Sequence, residues 1–212
     1  MRHGYYVIIL SISILVLLFL IQEYEHVLFH IKSLLGRKNT VSIPTPSSVI
    51  TRVQSILSSL NDSKKFTFVD FGCGEGFTLS RIHHLFNQSF GIELNKTTAD
   101  YAYQKFKSVS CVTILHQDMV HYTFTNQPTV LYLYEPLWEV QDQQVVQSVY
   151  QKVFDNLKKV THQKYVIYVT SVLSPKIKES DFHSYHLEII HKERISRSLF
   201  FHNTIYFLRY HS

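Results

Sequence analysis

Phe66-Thr67-Phe68-Val69-Asp70-Phe71-Gly72-Cys73-Gly74-Glu75-Gly76 (FTFVDFGCGEG, residues 66–76) decides how the rest of the chain is read. Its first half is aromatic and β-branched, the composition of a buried strand. The acid and alternating glycines that follow make a turn, because glycine reaches backbone torsions closed to other residues and leaves bare backbone for a ligand. Residues 77–86 then carry a helical pattern. The turn therefore opens a helix, whose free N–H groups and positive dipole end face whatever lies there. The spacing is not G-x-G-x-x-G, since position 77 is Phe and the third glycine is Gly76.

Outward from this unit the alternation continues. Ser47 to Leu60 reads as a helix with an apolar stripe. Ser89 to Leu94, Val109 to Leu115, Thr129 to Tyr134 and Tyr165 to Val172 read as strands. Thr97 to Lys107 and Gln143 to Lys159 read as the helices between them. Strand and helix in turn, with strands apolar on both faces, predict a doubly wound, mostly parallel α/β sheet. The last two strands, Tyr185 to His191 and Asn203 to Tyr210, have no helix between them and predict a terminal antiparallel hairpin. The charged stretch His191 to Arg197 reads as a solvated segment.

Composition narrows the classes. The 212 residues suffice for one sizeable core and a short appendage. With 45% hydrophobic and 17% charged residues the chain is neither a disordered tail nor a coiled coil. The net charge of +5 is scattered rather than clustered, which argues against a nucleic-acid partner. Two cysteines, Cys73 and Cys111, make no disulfide framework. The 13 histidines lack companion ligands at metal spacing, so no metal site is expected.

Tyr5 to Ile21 (YYVIILSISILVLLFLI) holds no charge and, at about 1.5 Å per residue, reaches roughly 25 Å as a helix. It predicts an uncleaved transmembrane anchor over residues 1–22. Residues 23–43 follow as an amphipathic helix and linker, and a folded domain over 44–212. Arg37, Lys38 and Lys32 on one side against Arg2 on the other predict a single-pass protein with its domain on the cytosolic or mitochondrial-matrix side.

In an open α/β sheet ligands bind beyond the carboxyl ends of the strands. The Asp70 turn is one such end. Glu93 ends the second strand, where a carboxylate accepts both hydroxyls of a ribose. Asp118 follows the third strand, placed to accept from an exocyclic amine. Tyr134-Glu135-Pro136-Leu137-Trp138 follows the fourth, an acid among aromatics.

In this order and at these strand ends, the residues resemble class I S-adenosylmethionine-dependent methyltransferases. The resemblance covers about Pro44 to Tyr210 and implies a seven-stranded sheet whose last strand is inserted antiparallel. It implies S-adenosylmethionine as cofactor, held by Asp70, Gly72, Cys73, Gly74 and Gly76, by Glu93 with Leu94 and Asn95, and by Asp118 with Met119. A narrower resemblance is to small protein-lysine methyltransferases related to the ATP-synthase c-subunit lysine methyltransferase. It rests on Pro44-Thr45-Pro46 ahead of the first helix and on Glu135-x-x-Trp138, where Trp stands in place of the usual Phe or Tyr. It implies that Thr45 touches the cofactor. It also implies that Glu135 holds a substrate amine while Tyr134, Pro136 and Trp138 wall its channel, with cation–π contacts to an ammonium. The expected function is a membrane-anchored methyltransferase acting on a protein lysine. The anchor also suits a lipid or membrane-soluble substrate, and the bound cofactor alone would suit a non-catalytic scaffold.

Overall fold

The computed structural model describes residues 44–60, 62–137, 140–171, 177–196 and 202–211. Helix α1 (Ser47–Ser58) precedes β1 (Thr67–Phe71), α2 (Phe77–Ile82), β2 (Gln88–Glu93), α3 (Lys96–Phe106) and β3 (Val112–His116). Then come β4 (Thr129–Tyr134), α4 (Gln143–Lys158), β5 (Lys164–Ser171), β6 (Leu187–Ser196) and β7 (His202–Tyr210). The strands form one sheet in the order β3-β2-β1-β4-β5-β7-β6. The pairs from β3 through β5 are parallel, while β7 runs antiparallel to both β5 and β6. The expected doubly wound sheet with an inserted last strand is therefore present.

Two cores cover the two faces, and the strand alternation assigns each side chain to one of them. Val69, Phe71, Leu131, Leu133, Val166 and Tyr168 face the core closed by Val146, Tyr150, Val153, Phe154 and Leu157 of α4. Phe68, Val130, Tyr132, Ile167 and Val169 face the core closed by Val49, Val53 and Leu57 of α1, Leu79 and Ile82 of α2, and Phe106 of α3. Both faces are dry, which is why β1, β4 and β5 read as near-continuous apolar runs.

Three boundaries differ from expectation. The helix after the glycine turn stops at Ile82, and His83–Leu85 tightens into a 3₁₀ turn before Phe86 goes extended. β3 starts at Val112, because Val109 is held in a turn by its N–H bond to the Phe106 carbonyl (2.8 Å). β6 does not start at Tyr185, which lies in a 3₁₀ turn, and it continues through Lys192–Ser196, the charged stretch read as solvated. It is an edge strand exposed on both sides with an irregularity between Ile189 and His191, so no alternation announced it. Among the described residues no helix is long and apolar enough to cross a membrane. The expected anchor and amphipathic helix lie outside the described residues.

The strand order moves outward from β1 to β3 and then returns to β4, directly beside β1. That reversal opens a crevice at the carboxyl ends of β1 and β4.

Candidate active site

Gly72, Gly74 and Gly76 all take positive φ (72°, 55° and 73°), so the turn after β1 has a backbone that side-chain-bearing residues rarely adopt. Its start is tied to β2: the Gly72 and Cys73 N–H groups both donate to the Ile92 carbonyl (2.8 and 3.2 Å). Its end is closed by the Gly76 N–H donating to the Cys73 carbonyl (2.9 Å), and Gly76 then starts α2.

Glu93 sits at the end of β2 with its carboxylate held from both sides. Oε2 accepts the Gly74 N–H (3.0 Å) and Oε1 the Asn95 N–H (2.8 Å). An ionised carboxylate has about four acceptor positions, so this fixes its plane and leaves two for incoming hydroxyls. Asn95 caps α3 by accepting the Thr98 N–H (3.0 Å), and Leu94 between them stands 66% exposed. The Gln117 N–H bonds the Glu93 carbonyl (3.0 Å), drawing the end of β3 to the end of β2. There Asp118 caps the 3₁₀ turn Met119–His121 through the Val120 N–H (3.0 Å), and Met119 packs into the core under α4.

Asp70 is the unusual group. It is 2% exposed, and its Oδ2 has no hydrogen-bond partner. Burial first, and the Glu93 charge second, push its carboxyl up to about 8. Burial, with Asp70 and Glu93 beside it, likewise drives the Cys73 thiol well above its ordinary range. Cys73 is therefore no nucleophile and contributes backbone and packing. Two acids crowd one end of the crevice, and one of them lacks any donor.

Thr45 lies deeper than the narrower resemblance implied. It is 4% exposed, and its hydroxyl bonds both Thr78 Oγ1 and the Tyr132 hydroxyl (3.1 Å each). This ties the segment before α1 to α2 and β4. Sequence reasoning named neither Thr78 nor Tyr132; both sit among core residues in the sequence and carry no motif.

The β4 end closes the crevice from the other side. Pro136 lies against the glycine turn, its Cβ only 3.0 Å from where a Gly72 side chain would begin, so glycine is required there for the approach as well as for φ. Tyr134 is half-buried against the α1–α2 core. Glu135 takes a left-handed φ of 43°, uncommon for a residue with a side chain. That turn directs its carboxylate to the end of β5. There Oε1 accepts the Ser171 N–H (2.6 Å), the Ser171 hydroxyl (3.0 Å) and the Thr170 hydroxyl (3.1 Å). Thr170 and Ser171 were missed from the sequence, although the strand-end rule that found the other residues applies to β5 too. Trp138 lies outside the described residues. Beneath Glu135, α4 places the Tyr150 hydroxyl, fully buried and without a partner. Its nearest charged or polar ring neighbours are Tyr168, Glu135 and Tyr185.

The glycine turn, the pinned Glu93 and the donorless Asp70 suit a ligand with hydroxyls at one end and a cation at the other. S-adenosylmethionine is such a ligand, and the orphaned Asp70 oxygen is the observation that tests the fit. Among the described residues no group of His, Cys, Asp and Glu is arranged to hold a metal ion.

Residues 69–161 match the family described as a methyltransferase domain. No curated protein matches the sequence. Magnesium protoporphyrin IX methyltransferase from Synechocystis PCC 6803, solved with bound S-adenosylmethionine, superposes with a TM-score of 0.63 at 14% identity, covering 77% of this chain and 79% of that one. The N-methyltransferase NodS from Bradyrhizobium japonicum WM9 gives 0.57 at 12% identity over 78% of this chain and 94% of its own. A methyltransferase from Aquifex aeolicus gives 0.51 at 12% identity over 77% and 98%. By the domain it carries over residues 69–161 and by its seven-stranded fold, the chain is a class I S-adenosylmethionine-dependent methyltransferase.

Proposed function

We propose that the protein transfers a methyl group to a lysine amine of a protein substrate and is anchored in a membrane by residues 5–21, with its domain on the cytosolic or matrix side. The observation that carries the amine reading is Glu135. A carboxylate fixed by Thr170 and Ser171, one residue from the Pro136 that lies on the glycine turn, puts a negative charge where the nucleophile must arrive. It repels carboxylate and phosphate nucleophiles and attracts an ammonium. With Oε1 occupied, Oε2 accepts from the amine and orients its lone pair.

The cofactor supplies an electrophilic methyl on a sulfonium and leaves as a neutral thioether. The chain's own residues position and neutralise. Glu93 holds the hydroxylated end, Asp70 faces the cationic end, and Glu135 holds the amine, whose surplus proton departs to solvent. The uncharged run at 5–21 supports the anchor and brings membrane proteins into reach.

The test incubates full-length protein in detergent with methyl-labelled S-adenosylmethionine and solubilised host membranes, beside Glu135→Ala and Glu135→Gln. A labelled protein band whose hydrolysate yields methyl-lysine, lost in both variants, is the expected result. Label in lipid, or a band unaffected by the variants, overturns the lysine reading.

A further inference from the structure

Asp70 has an environment that its place in the glycine motif does not require. Its carboxyl is sealed, 2% exposed, and Oδ2 meets no donor. The titratable groups around it come from each neighbouring element, and none is a cation. Glu93 on β2 is a second acid, its oxygens already bound to the Gly74 and Asn95 N–H groups. Cys73 in the turn holds a neutral thiol, its Sγ directed to the Gly74 carbonyl. Tyr132 on β4 shares its hydroxyl with Thr45. An ionised carboxylate in such a place lacks both water and counter-charge, and a group in that position keeps its proton.

We propose that Asp70 is protonated in the free protein and selects a ligand carrying an ammonium group, surrendering its proton to solvent as that ammonium enters. The exchange balances: the Asp70 O–H bond breaks, the proton goes to water, and the ligand's N–H groups take its place on the carboxylate. The site then holds one added positive charge in place of one proton, so no net charge is buried. This rests on the cofactor reading above and adds to it a fixed proton count and a basis for ligand discrimination. Burial and Glu93, which raise the carboxyl to about 8, set the pH range in which the exchange is visible.

The experiment is calorimetric titration of the full-length protein with S-adenosylhomocysteine, which has the amino group and transfers nothing. It is run in two buffers of unequal ionisation heat. With the acid at about 8 in the free protein and ionised in the complex, about 0.9 proton is released per ligand at pH 7. By the same linkage affinity rises about 20-fold from pH 6 to 7.5. The control 5′-methylthioadenosine lacks the amino-acid end and releases no proton. Asp70→Asn, which is always neutral, binds S-adenosylhomocysteine with an affinity flat over this range. Tight binding of S-adenosylhomocysteine by the unaltered protein without proton release, or equal release with 5′-methylthioadenosine, overturns the proposal while the cofactor reading stands. No binding of either ligand at any pH overturns both.

Discussion

Replacing Gly76 by alanine tests whether the glycine turn is held by backbone torsion alone or also by packing against α3. Gly76 has φ 73°, and a side chain in that region costs about 1–2 kcal/mol. The added Cβ would also lie 2.4 Å from Phe106 Cε2 and 3.3 Å from Cζ, inside any normal contact. Phe106 cannot swing away freely. It is 5% exposed, with the His83 ring edge-on at a 6.2 Å centroid separation and the Lys105 ammonium 5.5 Å from its ring centre. Overpacking of this kind costs about 1–3 kcal/mol more. Gly76→Ala should therefore destabilise the fold by about 2–5 kcal/mol, a fall in Tm of roughly 5–15 °C for a domain of this size. Phe106→Leu removes the clashing ring atoms and leaves the torsion, so in that background Gly76→Ala should cost only the first 1–2 kcal/mol or so. Thermal unfolding of the two single variants and the double variant closes the cycle. Equal costs of Gly76→Ala in both backgrounds would refute the packing argument, and a cost under about 1 kcal/mol would refute the torsional one as well.

Asp70 also makes stability depend on pH. Its carboxyl is raised to about 8 in the folded chain, so between about pH 4 and 8 the folded state holds a proton that the unfolded state has lost, and stability falls as pH rises through that window. The unfolding free energy of Asp70→Asn relative to the unaltered protein should grow by roughly 3–4 kcal/mol from pH 5 to 8, and parallel denaturant curves at all pH values would contradict it. The Tyr150 hydroxyl is buried and unpartnered, so Tyr150→Phe should raise stability by about 1–2 kcal/mol; a loss of similar size in urea unfolding would mean that the hydroxyl has a partner.

Much of the architecture was legible because its signals are local. Val69, Phe71, Leu131 and Leu133 alternate with Phe68, Val130 and Tyr132, a period set by the strand itself, and the glycines after Phe71 mark where that strand must turn. The strand-end residues Glu93, Asp118 and Glu135 followed from the rule that open sheets bind at their carboxyl ends. The full length of β6 was not legible, since an edge strand solvated on both faces needs no apolar pattern and is held by its ladder to β7.

The amino-acid sequence by itself determined the order of strands and helices, the glycine turn and the acids that surround it, because torsional preference and hydrophobic period act between near neighbours in the chain. Only the tertiary structure decided what each polar group faces. Thr45 spends its hydroxyl on Thr78 and Tyr132, Glu135 turns to Thr170 and Ser171, and Asp70 is left beside Glu93 without a donor. Those partners come from distant parts of the chain. The energy of a buried polar group depends on the atoms that enclose it, which sequence neighbours do not specify.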